Sequence, residues 1–238
     1  MAEPARLAAI GDAVRARLLL DARARPLGGH RADIFALTGF LSAERCRALI
    51  TPIEAGASPS TLYNDGGEAP GIRTSSTHYF GDAHAASELA VRIDDLLGLP
   101  RTSAEPMQGQ RYRPGEEYRH HSDSFRTGRE HWQRERLRGG QRSWTAMLYL
   151  NAVETGGETD FPKLGLKIAP EPGLLLAWNN MDRHGRPNPM LLHAGLPVGR
   201  GSKYIVTQWY RLGDWSARPR DAGPDAPSLL QPSSKKLA

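Results

Sequence analysis

The sequence predicts a mixed fold of mainly β character, in which N-terminal helices buttress a double-stranded β-helix, or jelly roll, of cupin-like form. Three observations carry this. At 238 residues the chain is long enough for one domain with a sizeable core. Up to Pro100 its apolar residues recur at helical steps, and from Met107 onward short strand-like runs alternate with Gly and Pro. Helices followed by many short strands suit a jelly roll rather than an alternating α/β sheet.

Residues 5–22 place Leu7, Ile10, Val14 and Leu18 on one helix face, which is expected to pack on the outside of the core. Ile34 to Leu37 reads as a short buried strand. A helix opens after Leu41 with Ser42 as its cap, and another fits Ala85 to Leu97, ended by Gly98 and Pro100. Gly56 to Ser76, rich in Gly, Ser, Pro and Asn, is long for an idle connection and reads as a mobile lid. The strand-like runs are 108–113, 144–150, 157–161, 173–178, 190–194 and 204–211. Residues 1–30 then form an N-terminal extension and 31–213 the catalytic domain, its jelly-roll core at about 106–213; the Pro-rich tail 214–238 is expected to be disordered.

Hydrophobic residues at 39%, aromatic at 7% and charged at 24% are ordinary for a soluble globular protein and exclude disorder throughout. The formal charge is +5, and Arg supplies 26 of the 31 basic residues, several crowded between Arg126 and Arg142. A solvated basic loop accounts for these better than a nucleic-acid surface. Cys46, the single cysteine, cannot form an internal disulfide and reads as a packed thiol in a reducing compartment. Asp12, Arg15 and Arg17 break up the leucines of the first twenty residues, so neither a signal nor a membrane span is expected and the protein should be cytoplasmic.

His121-Ser122-Asp123 is a His-x-Asp pair, which on a strand of period two presents both side chains on one face. His120 is a rival ligand but would point to the opposite face. His193 lies seventy positions after Asp123 in another strand-like run that a jelly roll can bring opposite. Two imidazoles and one carboxylate make a facial triad that suits iron(II) and leaves three coordination positions open. A 2-oxo acid can occupy two and dioxygen the third, whereas a structural zinc site would be closed. Lys203, one of only five lysines, begins the next strand. A buried ammonium is costly unless paired, so Lys203 is either exposed or meets an anion such as the distal carboxylate of 2-oxoglutarate.

With these residues assembled, the chain from about Ile34 to Leu212 resembles the prolyl 4-hydroxylase family of 2-oxoglutarate dioxygenases. The motifs that carry the resemblance are Arg111-Tyr112-Arg113-Pro114-Gly115-Glu116-Glu117-Tyr118 before His121-Ser122-Asp123, then Leu148-Tyr149-Leu150-Asn151, Gly156-Gly157-Glu158-Thr159-Asp160-Phe161-Pro162, and His193-Ala194-Gly195-Leu196-Pro197-Val198 with Lys203 and Trp209. The resemblance implies that His121, Asp123 and His193 hold Fe(II) and Lys203 anchors 2-oxoglutarate. It also implies that Tyr112 hydrogen-bonds the cosubstrate, Thr159 assists at its carboxylate end, and Trp209 walls the pocket. Tyr118, three residues before the first ligand, and Arg142, seventeen before Thr159, match the positions by which the family holds a peptide.

The reaction so implied consumes dioxygen and 2-oxoglutarate, releases succinate and CO2, and hydroxylates a proline within a peptide or protein, with ascorbate as the candidate reductant. The cofactors supply the chemistry and the protein supplies binding and orientation; no membrane partner is expected. Two departures bear on substrate choice: the long charged loop 124–141, and Ala177-Trp178-Asn179-Asn180 in place of a more common aromatic-Asn pattern. The alternatives are an oxygenase acting on a free amino acid, another small molecule or a nucleic acid, and a non-catalytic jelly-roll binding module, for which a broken triad would be expected.

Overall fold

The computed structural model describes residues 2–60, 72–81, 83–128 and 131–215. Its helices are α1 (Glu3–Leu20), α2 (Ala43–Gly56), α3 (His84–Leu97) and α4 (His131–Leu137). The strands, in chain order, are β1 (Arg25–Pro26), β2 (Ile34–Leu37), β3 (Ser58–Pro59), β4 (Ser76–Tyr79), β5 (Gln108–Tyr112), β6 (Tyr118–His121), β7 (Arg142–Tyr149), β8 (Thr155–Gly156), β9 (Thr159–Phe161), β10 (Leu166–Ile168), β11 (Leu175–Asn179), β12 (His193–Gly195), β13 (Val198–Arg200) and β14 (Lys203–Arg211). An eight-stranded antiparallel sheet runs β1-β2-β11-β7-β14-β5-β4-β3, and a four-stranded sheet runs β10-β9-β12-β6, with β13 and β8 pairing separately. Mixed α/β with a large antiparallel sheet is the jelly-roll type expected.

The period of the strands divides the large sheet into two faces. Trp144, Ala146 and Leu148 of β7, Leu175 and Ala177 of β11, and Val206 and Tyr210 of β14 join one apolar cluster with Val14, Leu18, Leu49, Ile53, Leu89 and Ile93 of the helices. The alternate residues Met147, Tyr149, Leu176, Trp178 and Ile205 join a second cluster with Phe161 and Leu191. Each fully buried leucine, Leu175 among them, contributes about 1.5–3 kcal/mol. It is this second face that carries the site: Lys203, Ile205, Thr207 and Trp209 alternate along β14 and point together between the sheets.

Ser42 caps α2, accepting the Arg45 N–H at 3.3 Å, and α3 ends at Gly98, whose φ of +66° is the left-handed conformation that glycine adopts without a Cβ clash. α1 begins and ends two residues earlier than the spacing predicts. It lies against α3 and β7, with Leu7, Val14 and Leu18 buried and Leu19 and Leu20 exposed, so it packs on the outside of the core by one face, as expected. Cys46 is buried and free, and burial pushes its thiol pKa up.

Several expectations change. Strand β6 stops at His121, so Asp123 lies just beyond the strand. Leu191 ends a short 3-10 turn (Pro189–Leu191), leaving β12 only three residues, because Pro189 cannot donate to a sheet ladder. The stretch 124–141 is more than a solvated loop: it contains α4, which buries Trp132 and Glu135. The expected lid has α2 and β3 at its start and β4 at its end, and its middle, 61–71, lies outside the described residues, as does the tail from 216. No described helix is long and apolar enough to cross a membrane.

Candidate metal and cosubstrate site

β6 and β12 pair antiparallel with His193 opposite His121, which sets two imidazoles side by side. Their ring centroids are 4.3 Å apart. Asp123 closes the group, with Oδ1 at 3.8 Å from His121 Nε2 and Oδ2 at 3.9 Å from His193 Nε2, and one ligand atom from each residue lies within 4.8 Å of the others. The outer nitrogens fix the tautomers. His121 Nδ1 donates to Arg119 O at 2.8 Å and His193 Nδ1 to Leu191 O at 2.9 Å, so each Nε2 presents its lone pair to the shared space. Thr145 donates to Asp123 Oδ2 at 2.8 Å and accepts in turn from Asn180 Nδ2 at 2.9 Å.

Protonation suits this arrangement. Burial, reinforced by neighbouring His193, pushes the His121 imidazole down to about 3, so at neutral pH it is the uncharged ligand form. Burial alone would raise Asp123, but the combined effect of His193, His121, Arg142 and the Thr145 hydrogen bond holds its carboxyl below the usual value. Two imidazole nitrogens and one carboxylate on a single side are the donor set that fits Fe(II) with positions left for other ligands. His120 stands apart, with Nε2 at 3.0 Å from Asp160 Oδ2 and its side chain 45% exposed.

Lys203 opens β14 opposite Tyr112 of β5 and is 1% exposed. Its ammonium donates to Gly157 O at 2.9 Å and sits 4.3 Å from the Tyr112 ring centroid, with no ion pair among the described residues. Burial pushes its pKa down to about 8, against a smaller opposing effect of Glu158. Two glycines make room for it: a Cβ on Gly195 would stand 3.2 Å from Lys203 Nζ, and one on Gly157, whose φ is +76°, would stand 3.4 Å from Lys203 Cδ. A buried cation with one carbonyl for company is costly unless an anion joins it, and a dicarboxylate such as 2-oxoglutarate fits that requirement.

Tyr112, Tyr118, His121, Asp123, Thr159, His193, Lys203 and Trp209 all border one pocket. Within it Thr159 Oγ1 accepts from Tyr149 Oη at 2.5 Å, and the Tyr112 hydroxyl donates to Gln110 Oε1 at 3.0 Å. Tyr118 stacks on His121, with centroids 3.5 Å apart and 13° between planes, and Arg73 lies over the Tyr118 ring at 5.1 Å from its centroid. Arg142 is beside the pocket. Its Nε and Nη2 donate to the two Glu105 carboxylate oxygens at 2.6 and 2.8 Å, and its guanidinium lies 4.2 Å from the Trp209 ring centroid. Half of the expected fork is therefore engaged by Glu105, leaving Nη1 without a hydrogen bond among the described residues.

The sequence reading missed Glu105, Thr145 and Arg73, and named Trp178 and Asn180 only within a departure that bears on substrate choice. Glu105 is a lone acid before a strand, and its partners Arg142 and Arg211 lie 37 and 106 positions away, so no local pattern marks it. Thr145 could have been found, since it shares the inward face of β7 with Met147.

Comparison with known proteins agrees with this geometry. The 2OG-Fe(II) oxygenase superfamily matches residues 107–211. Prolyl 4-hydroxylase 2 of Arabidopsis thaliana is 31% identical over 204 residues, spanning 75% of this chain and 67% of the plant protein. Among solved structures, the viral collagen prolyl hydroxylase of Paramecium bursaria Chlorella virus-1, in its 2OG complex, is 30% identical with a TM-score of 0.59, covering 78% of this chain and 98% of the viral one. A Trichoplax adhaerens prolyl hydroxylase, 18% identical over 87% of this chain and 91% of its own, shares the fold at a TM-score of 0.59. Fold and site together define an Fe(II)- and 2-oxoglutarate-dependent dioxygenase. Within that class the chain belongs to the prolyl 4-hydroxylase family.

Proposed function

We propose that the enzyme hydroxylates proline within a peptide or protein, with Tyr118 and Arg142 on the substrate side of the site. The observation that carries this reading is the placement of Arg142: Glu105 holds its guanidinium 4.2 Å from the Trp209 ring centroid and within electrostatic reach of Asp123, with Nη1 unbonded among the described residues. A planar donor so fixed can hold a peptide carbonyl at small entropic cost. The Arabidopsis and viral relatives are prolyl hydroxylases by name, which supports the same substrate class.

His121, Asp123 and His193 would hold Fe(II), which with 2-oxoglutarate and dioxygen supplies the oxidising chemistry and yields succinate, CO2 and a hydroxylated carbon. Lys203 would meet the distal carboxylate of 2-oxoglutarate, with Tyr112 and Thr159 lining that end of the pocket and Trp209 walling it. Met147, Trp178 and Ile205 keep the interior apolar and exclude water from the reacting carbon. No general base is needed at that carbon, so Tyr118 and Arg142 serve binding and orientation. Ascorbate as reductant, and a cytoplasmic setting that the buried thiol of Cys46 suits, complete the reading.

The test is turnover of a panel of proline-containing peptides beside free proline and small acids, reading succinate and incorporated oxygen together. One oxygen gained per succinate on a peptide is the expected result. Efficient oxidation of a small acid with every peptide unmodified would overturn the peptide assignment and leave the dioxygenase intact.

A further inference from the structure

The insert between Asp123 and Gln141 is tied to the substrate side of the site from within. Gln141 accepts from the Phe125 N–H at 2.7 Å and donates to Phe125 O at 2.9 Å. The Phe125 ring lies under two guanidinium groups, at 5.0 Å from Arg142 and 4.4 Å from Arg211. Arg211 bridges onward, with Nε donating to Glu105 Oε1 at 2.5 Å and Nη2 to Glu135 Oε2 at 2.6 Å. One carboxylate, Glu105, thus holds both Arg142 and the arginine that anchors α4.

Among the described residues of the insert, this internal network leaves only cations charged at the outer surface. Glu135 turns inward to Arg211, and Trp132 is buried three residues before it on the same side of α4. Arg126, Arg134 and Arg136 are exposed, Arg138 is half-buried, and none of the four makes an ion pair among the described residues. A surface selected only for solubility intersperses both signs.

We propose that the substrate is an acidic segment, in which Asp or Glu residues flanking the target proline meet Arg126, Arg134 and Arg136. The inference rests on the peptidyl-proline reading and names the class of peptide. Charge complementarity carries it, together with the continuity from α4 through Glu135, Arg211 and Glu105 to Arg142. Exposed rim charges act chiefly by steering encounter and choosing among partners, and their effect fades with salt. A nucleic acid could also meet such a surface, but Arg142 and Tyr118 beside the metal cluster suit a peptide chain.

The experiment compares three peptides that share one proline-containing core and differ in Glu, Gln or Lys flanks, assayed with Fe(II) and 2-oxoglutarate at low and high ionic strength. In the unmodified enzyme the Glu-flanked peptide should exceed the Lys-flanked one in kcat/KM by about tenfold or more at low salt, and salt should close the gap. Arg134→Glu with Arg136→Glu should reverse the order, a gain on the Lys-flanked peptide that loss of folding cannot produce. Equal kcat/KM for all three, each being hydroxylated, overturns the proposal while the peptidyl-proline reading stands. Oxidation of an oligonucleotide with no peptide hydroxylated overturns both.

Discussion

Thr145 donates its hydroxyl hydrogen to Asp123 Oδ2 at 2.8 Å, so the one carboxylate of the metal cluster, just beyond β6, is oriented by the fourth residue of β7 in the other sheet. Groups that orient metal ligands typically matter by about 10- to 100-fold in affinity. Thr145→Val, nearly the same shape without the hydroxyl, should weaken Fe(II) by that factor, as an anaerobic metal titration would measure. An unaltered isotherm would mean that the histidines alone orient Asp123.

Asp123→Ala removes one of three ligands and opens the face to water, so both iron binding and turnover should be lost. Retention of normal iron affinity and activity would refute the assignment of the site.

Lys203→Ala should weaken 2-oxoglutarate by about 1.5–3 kcal/mol, the size of a hydrogen bond to a charged group, which is roughly ten- to a hundredfold in affinity. The pH dependence follows from a pKa lowered to about 8 by burial. The protonated form is the one that attracts an anion. Affinity should therefore be full well below pH 8 and decline as pH rises through it, and Lys203→Arg should lack the alkaline decline. Direct titration of 2-oxoglutarate from neutral to alkaline pH checks both.

Arg142→Lys keeps a charge but loses the planar fork that Glu105 and Trp209 hold. Peptide hydroxylation should fall far more than uncoupled decay of 2-oxoglutarate. Parallel losses in the two assays would place Arg142 outside substrate binding.

Glu105→Gln takes away the one ion-pair partner of half-buried Arg142 among the described residues and leaves buried Arg211 with Glu135 alone, and breaking a buried pair costs about 3–5 kcal/mol. Burial opposes ionisation of Glu105, yet Arg142 and Arg211 together hold its carboxyl below the usual value. Its folded pKa being the lower one, the stability it contributes is present above the unfolded value and is lost as pH falls through the folded one. Urea unfolding at neutral and acidic pH should show the gap between wild type and variant narrowing in acid.

What the sequence by itself determined is whatever repeats locally. Helical spacing located α1, α2 and α3, the capping Ser42 and the terminating Gly98 marked two of their ends, and alternation located most of the large sheet. The order of His121, Asp123, His193 and Lys203 was legible because a ligand pair two residues apart and a lone lysine at a strand start are short-range signals. Tertiary structure alone decided the rest. Asp123 lies beyond its strand, yet Thr145 from β7 and the two histidines converge on it. The Arg-rich stretch folds back as α4, burying Trp132 and setting Glu135 on Arg211, 76 positions away. Arg142 has half its fork committed to Glu105, which no pattern near either residue announces. Burial makes such ion pairs strong enough to shape a site, and burial is a property of the packed chain, in which residues distant in sequence remove water from one another.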